Sequence, residues 1–234
     1  MRYERQEAFR HIGKRQKLLE KSKVVIVGCG GLGSNSAEML ARAGVGKIEI
    51  IDKDKVELSN LQRVSLFSER DIGKDKAEAA KAILANINSD VKVIAHVAEL
   101  DESNKGLLNA NIVLDCTDNI ESRYLINGYC RKHKINWVHA AVLGAKGMVI
   151  SFLPERGFCY RCIFSDAEVS ETTATAGILN TTVKAIASLQ VSEALKILTG
   201  QEASKELICL DLWKMELEKV NLKADKKCEV CKNC

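Results

Sequence analysis

Lys23-Val24-Val25-Ile26-Val27-Gly28-Cys29-Gly30-Gly31-Leu32-Gly33 is the stretch that decides the fold of this chain. Val24–Val27 is a short, unbroken apolar run, the pattern of a parallel strand buried on both faces. It ends in glycines that fit G-x-G-x-x-G. These permit a tight turn, let backbone amides approach a phosphate, and open a helix whose N-terminus adds positive potential. Asp52 lies nineteen residues beyond Gly33, at the end of the next apolar run. An acidic side chain there can accept hydrogen bonds from ribose hydroxyls. Strand, glycines, helix and acid in this register point to a nucleotide site. The competing reading is a glycine turn packed against the sheet without a ligand.

Working outward, a helix is expected from Leu32 to Ala43 and a strand at Lys47–Ile51, which completes a βαβ unit. Residues 75–88 place Ala77, Ala80, Ile83, Leu84 and Ile87 on one helical face. Strands follow at Val91–Ala95, Ile112–Asp115, Trp137–Ala141 and Met148–Phe152. Strands alternating with helices predict an α/β fold, Rossmann-like and doubly wound, with a largely parallel sheet. Residues 1–22 read as a polar N-terminal helix with a weak stripe of Ala8, Phe9, Ile12, Leu18 and Leu19. Residues 165–176 are polar and threonine-rich and read as a mobile loop. A long helix runs from about Ile178 to Leu198, with Gly200 placed to end it in the left-handed conformation. Leu207–Leu212 and Met215–Leu222 are strand-like and form a C-terminal extension.

The chain has 234 residues, 46% hydrophobic and 28% charged, which suits one domain able to bury a core without staples. A net charge of +4 gives no argument for a nucleic-acid partner. No apolar run reaches the roughly 18 residues of a membrane span. Met1-Arg2-Tyr3-Glu4-Arg5 is charged with no apolar stretch behind it, so a cytoplasmic protein is expected. Nine cysteines in such a chain read as thiols or metal ligands.

The glycine motif alone would favour a nicotinamide dinucleotide and redox chemistry. Asp54, then Ser59-Asn60-Leu61-Gln62-Arg63, then Lys76 add polar and cationic groups that suit a triphosphate better. No G-x-x-x-x-G-K-[ST] occurs, so a Walker loop does not hold the phosphates. Asp115-Cys116-Thr117-Asp118-Asn119 follows the fourth strand, where ligands of open α/β sheets sit. Asp118 could hold magnesium there, or cap the next helix, or both. His11, His96, His133 and His139 read as structural or surface residues. Cys159-x-x-Cys162 and Cys228-x-x-Cys231 can each supply two thiolates to one tetrahedral, structural zinc that clips the tail to the domain. Cys234 has the same spacing from Cys231. Cys29, Cys116, Cys130 and Cys209 read as small buried residues.

Taken together, these motifs resemble the MoeB/ThiF/HesA family, relatives of ubiquitin-activating enzymes, over nearly the whole chain. Arg5-Gln6, Gly28–Gly33, Asp52-Lys53-Asp54, Ser59–Arg63, Gly73-Lys74-Asp75-Lys76, Asp115–Asn119, the two C-x-x-C pairs and Ala176-Gly177 carry the resemblance. It implies one adenylyltransferase domain over 1–234: a helical arm at 1–22, a nucleotide-binding core at 23–145 and a carrier-binding, zinc-containing part at 146–234. It implies ATP and magnesium, with Gly28, Gly30, Gly31, Gly33, Asp52, Asp54, Ser59, Asn60, Gln62, Arg63, Lys76, Asp118 and Asn119 around the nucleotide. Arg5, Arg63, Lys76 and Asp118 would serve catalysis, Arg5 from the neighbouring subunit of a homodimer. Cys159, Cys162, Cys228 and Cys231 would bind zinc. The substrate would be the C-terminal carboxylate of a ubiquitin-fold sulfur carrier ending in Gly-Gly, converted to an acyl-adenylate. Activation of another carboxylate, such as one on a modified tRNA base, and a non-catalytic nucleotide-binding module are the alternatives. Some relatives carry a cysteine where Thr173 stands here, so this chain is expected to stop at the adenylate. The loop at 165–176 and the sheet face near Ala140-Ala141 would receive the carrier's tail.

Overall fold

The computed structural model describes residues 2–164, 177–223 and 228–232. Strands β1 (Lys23–Val27), β2 (Lys47–Ile51), β3 (Lys92–His96), β4 (Ile112–Asp115), β5 (Asn136–Leu143), β6 (Lys146–Phe152), β7 (Leu207–Asp211) and β8 (Glu216–Val220) build one sheet. Its order is β3-β2-β1-β4-β5-β6-β7-β8. β3, β2, β1, β4 and β5 are parallel. β6, β7 and β8 continue from β5 as antiparallel neighbours.

Both faces of the parallel part are covered, which is why its strands read as continuous apolar runs. Val24, Ile26, Ile48, Ile50, Ile112 and Leu114 belong to one core layer. Helices α3 (Gly31–Ala43), α4 (Lys76–Ile87) and α7 (Asn180–Leu198) cover it, bringing Ala37, Leu40, Ala77, Ala80, Leu84, Ile186 and Val191. Val25, Val27, Ile51 and Val113 face the other layer, which α5 (Ile120–His133) and α6 (Tyr160–Phe164) close with Ile126, Cys130 and Tyr160. The periodicity expected of residues 75–88 is therefore that of a helix packed on a sheet, and Ile83 and Ile87 pack against the same core.

Gly200, at φ +69°, follows the last turn of α7 as expected. The N-terminal arm differs from the single helix expected of it. It is broken into α1 (Glu4–Glu7), a 3-10 turn at Gly13–Arg15 and α2 (Gln16–Lys21). Ile12 and Leu19 reach the core, but Phe9 and Leu18 are 56% and 45% exposed, so the stripe never lies on one face. β5 and β6 also run further than the expected Trp137–Ala141 and Met148–Phe152. Pairing continues through Val142–Gly147 and Leu143–Lys146 into the hairpin, because on the β6 side the backbone ladder carries on through Lys146 and Gly147 without needing apolar side chains. The loop expected at 165–176 and the question of Cys234 lie outside the described residues. No helix among the described residues is long and apolar enough to cross a membrane.

Candidate active site

β1 is flanked by β2 on one side and β4 on the other, so the winding of the sheet reverses between β1 and β4. The carboxyl ends of strands diverge at such a point and leave a crevice. A cavity of about 1060 Å³ occupies it. Its lining runs from Gly28, Gly30 and Gly31 through Asp52, Asp54, Asn60, Arg63 and Lys76 to Asp118 and Asn119, and on along β5, β6, β7 and β8.

The glycine loop is shaped by contact. Gly28 turns at φ +90°, and a Cβ there would stand 2.6 Å from the Cys116 carbonyl oxygen. A Cβ on Gly33 would fall 1.8 Å from the Gly28 carbonyl oxygen, so Gly33 serves the packing of the turn and does not line the cavity. Gly31 lies against Arg63 and Val183, whereas Gly30 faces open space. No side chain caps α3, so its first amides are available to an anion.

Asp52 is buried and holds this loop: Oδ2 accepts from the Cys29 amide at 2.5 Å and Oδ1 from the Asp54 amide at 2.8 Å. Burial pushes its carboxyl above the usual range, against those two bonds and the nearby Lys76 charge. A carboxylate has about four lone-pair sites, so acceptor capacity remains for ribose. Lys76 is 7% exposed, and its Nζ donates to Asp54 Oδ2 at 3.0 Å. Arg63 is held by Nη1 donating to the Ser59 carbonyl at 2.9 Å. Asn60 Oδ1 accepts from the Glu57 amide at 3.2 Å. Ser59 and Gln62 are exposed and do not line the cavity; Ser59 donates to Glu57 instead. Arg5 is exposed and likewise lines no part of it.

The two roles weighed for Asp118 separate. Asn119 caps α5, its Oδ1 accepting from the Ser122 amide at 2.8 Å. Asp118 stands exposed beside it in the cavity lining. As a hard carboxylate donor it suits magnesium, and it is the residue here that would hold one. Behind it, Asp115 is fully buried and bonded to His139 Nδ1 at 2.6 Å and to Thr117 Oγ1 at 2.6 Å. Burial pushes its carboxyl up, but His139, Arg123 and Thr117 outweigh that and leave it below the usual range.

Arg123, a cavity residue the sequence reading did not single out, donates from Nη2 to the Thr117 carbonyl at 2.9 Å. Its signal was the position four residues after the Asn119 cap, because helical side chains lean back toward the N-terminus. Cys116 and Cys209 also line the cavity and are only partly buried, unlike Cys29 and Cys130. Burial pushes the Cys29 thiol far up, which keeps it unreactive. Ala141 reaches the lining; Ala140 lies in the core.

Away from the cavity, the sulfurs of Cys159, Cys162, Cys228 and Cys231 all lie within 4.8 Å of one another. The pairs Cys159–Cys162, Cys159–Cys228 and Cys162–Cys231 are 3.7, 3.7 and 3.3 Å apart. Tetrahedral zinc with Zn–S of about 2.3 Å puts its sulfurs about 3.8 Å apart, whereas a disulfide needs about 2.05 Å. The donor set fits zinc, and four thiolates leave no open position for substrate.

Comparison with known proteins agrees with this geometry. The ThiF family matches residues 3–230. The sulfur carrier protein ThiS adenylyltransferase of Bacillus subtilis is 41% identical, over 100% of this chain and 71% of that protein. The molybdopterin-synthase adenylyltransferase of Escherichia coli is 36% identical, over 99% and 96%. Among solved structures, E. coli MccB with ATP superposes with a TM-score of 0.86 at 25% identity, covering 100% of this chain and 75% of that one.

Proposed function

Because the chain belongs to the ThiF family, as an ATP-dependent adenylyltransferase, we propose that it activates the C-terminal Gly-Gly carboxylate of a ubiquitin-fold sulfur carrier as an acyl-adenylate. One observation carries this reading: a single cavity joins the glycine loop and its cations to the open antiparallel strands β6–β8. At about 1060 Å³ it stands at the top of the roughly 300–1,000 Å³ usual for a small-molecule pocket, which suits a nucleotide together with an extended peptide tail. By their own names, the B. subtilis relative adenylylates the sulfur carrier protein ThiS and the E. coli relative molybdopterin synthase.

The chemistry follows from the groups present. A C-terminal carboxylate, with a pKa of roughly 3.3–3.7, is already ionised at neutral pH and needs no general base. Its oxygen attacks the α-phosphorus of ATP, the bond to the bridging oxygen breaks, and pyrophosphate leaves with that oxygen. Arg63 and Lys76 neutralise the phosphates, the α3 amides cradle them, and Asp52 orients the ribose. Magnesium, held by Asp118, would screen charge on the leaving group. Such pre-aligned charges lower the barrier without moving a proton. Thr173, at the position of a cysteine in some relatives, leaves sulfur delivery to another protein.

The test is ATP–pyrophosphate exchange with purified carriers. Exchange that depends on one carrier and on its terminal glycine supports the reading. ATP binding without exchange for any carrier would overturn it. Capture of a carrier on this chain as a thiol-labile adduct would overturn the Thr173 argument alone.

A further inference from the structure

Behind the loop that presents Asp118 lies a buried polar cluster for which the reaction above has no use. Asp115 and His139 are register partners on β4 and β5 and are 0% and 1% exposed. Asp115 Oδ1 accepts from the Thr117 amide at 2.9 Å and from Thr117 Oγ1 at 2.6 Å. Oδ2 accepts from His139 at 2.6 Å. A carboxylate only accepts, so the proton is on Nδ1. Arg123 closes the far side, with Nε 3.9 Å from Oδ2 and Nη2 on the Thr117 carbonyl. Thr117 is thus anchored through its amide, hydroxyl and carbonyl, and Asn119 is anchored as the α5 cap. Asp118 hangs between two fixed residues.

The His139 ring itself sits among apolar rings, with centroids 5.1 Å from Tyr160, 5.8 Å from Phe164 and 6.3 Å from Trp137. An apolar side chain would fill that box at less cost than an imidazole. What it could not supply is the bond to Asp115. Without that bond, Oδ2 would keep, among the described residues, only Arg123 at 3.9 Å, and a half-satisfied buried carboxylate draws its other partners out of place.

We propose that His139 is a positioning residue for nucleotide activation: by clasping Asp115 it fixes loop 116–119 and so the placement of Asp118. This rests on the ATP reading above. The test compares His139→Leu with His139→Asn, whose amide can donate where Nδ1 does. Two quantities are measured: magnesium-ATP affinity by calorimetry, and amide hydrogen exchange of residues 116–119 in the nucleotide-free protein. His139→Leu should weaken magnesium-ATP binding roughly 10-fold, the low end for losing a partner behind a metal ligand, and speed exchange at Thr117. His139→Asn should restore most of both. Thr117→Val loosens the same clasp from the loop side and should shift both in the same direction, which covers the case of a leucine variant that does not fold. Unchanged loop exchange and nucleotide affinity in a folded His139→Leu, or in Thr117→Val if leucine unfolds the chain, would overturn the proposal. If the unaltered protein binds no ATP, the proposed activity falls, while loop exchange still decides whether His139 holds the loop.

Discussion

Asp118 shows what single residues reveal and hide. Its place after an apolar strand marks it in the sequence, yet it could bind a metal, cap the next helix, or do both. The structure resolves the capping half because Asn119 takes the Ser122 amide. Asp118→Ala should therefore leave thermal stability unchanged and lower carrier-dependent exchange by roughly 10²–10³-fold, the usual loss of one electrostatic group. Melting and exchange measured on one preparation check both halves. The glycines divide similarly. Gly33→Ala drives a methyl into the Gly28 carbonyl and should destabilise by at least about 1–3 kcal/mol. Gly30→Ala meets nothing within 4 Å and should keep its fold. Chemical denaturation of the pair separates packing from ligand contact. In the sequence both are simply glycines of one motif.

At the scale of elements, two clusters hold the sheet and its tail in place. Glu49 on β2 is bonded to Lys47 at 2.7 Å, Lys23 at 2.9 Å and His96 at 3.0 Å. Burial pushes its carboxyl up, but those partners outweigh it and bring it down to about 2. A depressed folded pKa contributes stability above the unfolded value and loses it as pH falls through the folded one. Glu49→Gln should therefore be less stable than the parent at neutral pH, the gap closing between roughly pH 4.3 and 2. Urea denaturation across that window tests it. The four-cysteine cluster joins α6 to the one-turn helix at Glu229–Lys232. Cys228→Ser should lose the metal by elemental analysis and lower the melting temperature, because binding free energy at such sites is folding free energy. The cysteine spacing was legible in sequence. The break in the N-terminal arm was not, since a weak apolar stripe does not say which of its members find a surface to cover.

For the whole molecule, the question rests on Arg5, which is exposed. The resemblance places it in a neighbouring subunit's cavity, and in its own chain it does not line this one. If Arg5 acts across a dimer, Arg5→Ala and Asp118→Ala proteins should each be inactive alone. Mixed and allowed to exchange subunits, they should regain part of the exchange activity. No recovery in proven mixed dimers would place both residues in one subunit's site. The doubly wound plan itself needed no coordinates, because each buried parallel strand announces itself as an apolar run ending in turn residues.

The sequence by itself determined the sheet class, the glycine turn, the acid at the end of β2, the cationic stretch at Asn60–Lys76 and the two cysteine pairs. All of these are local patterns in which spacing dictates geometry. Tertiary structure alone decided that Arg123 lines the cavity while Ser59 and Gln62 turn away, that Asp52 holds the glycine loop as well as lining the cavity, and that His139 pairs with Asp115. Those outcomes depend on contacts between residues far apart in the chain. Burial there assigns each polar group its partner, and no local period records who that partner is.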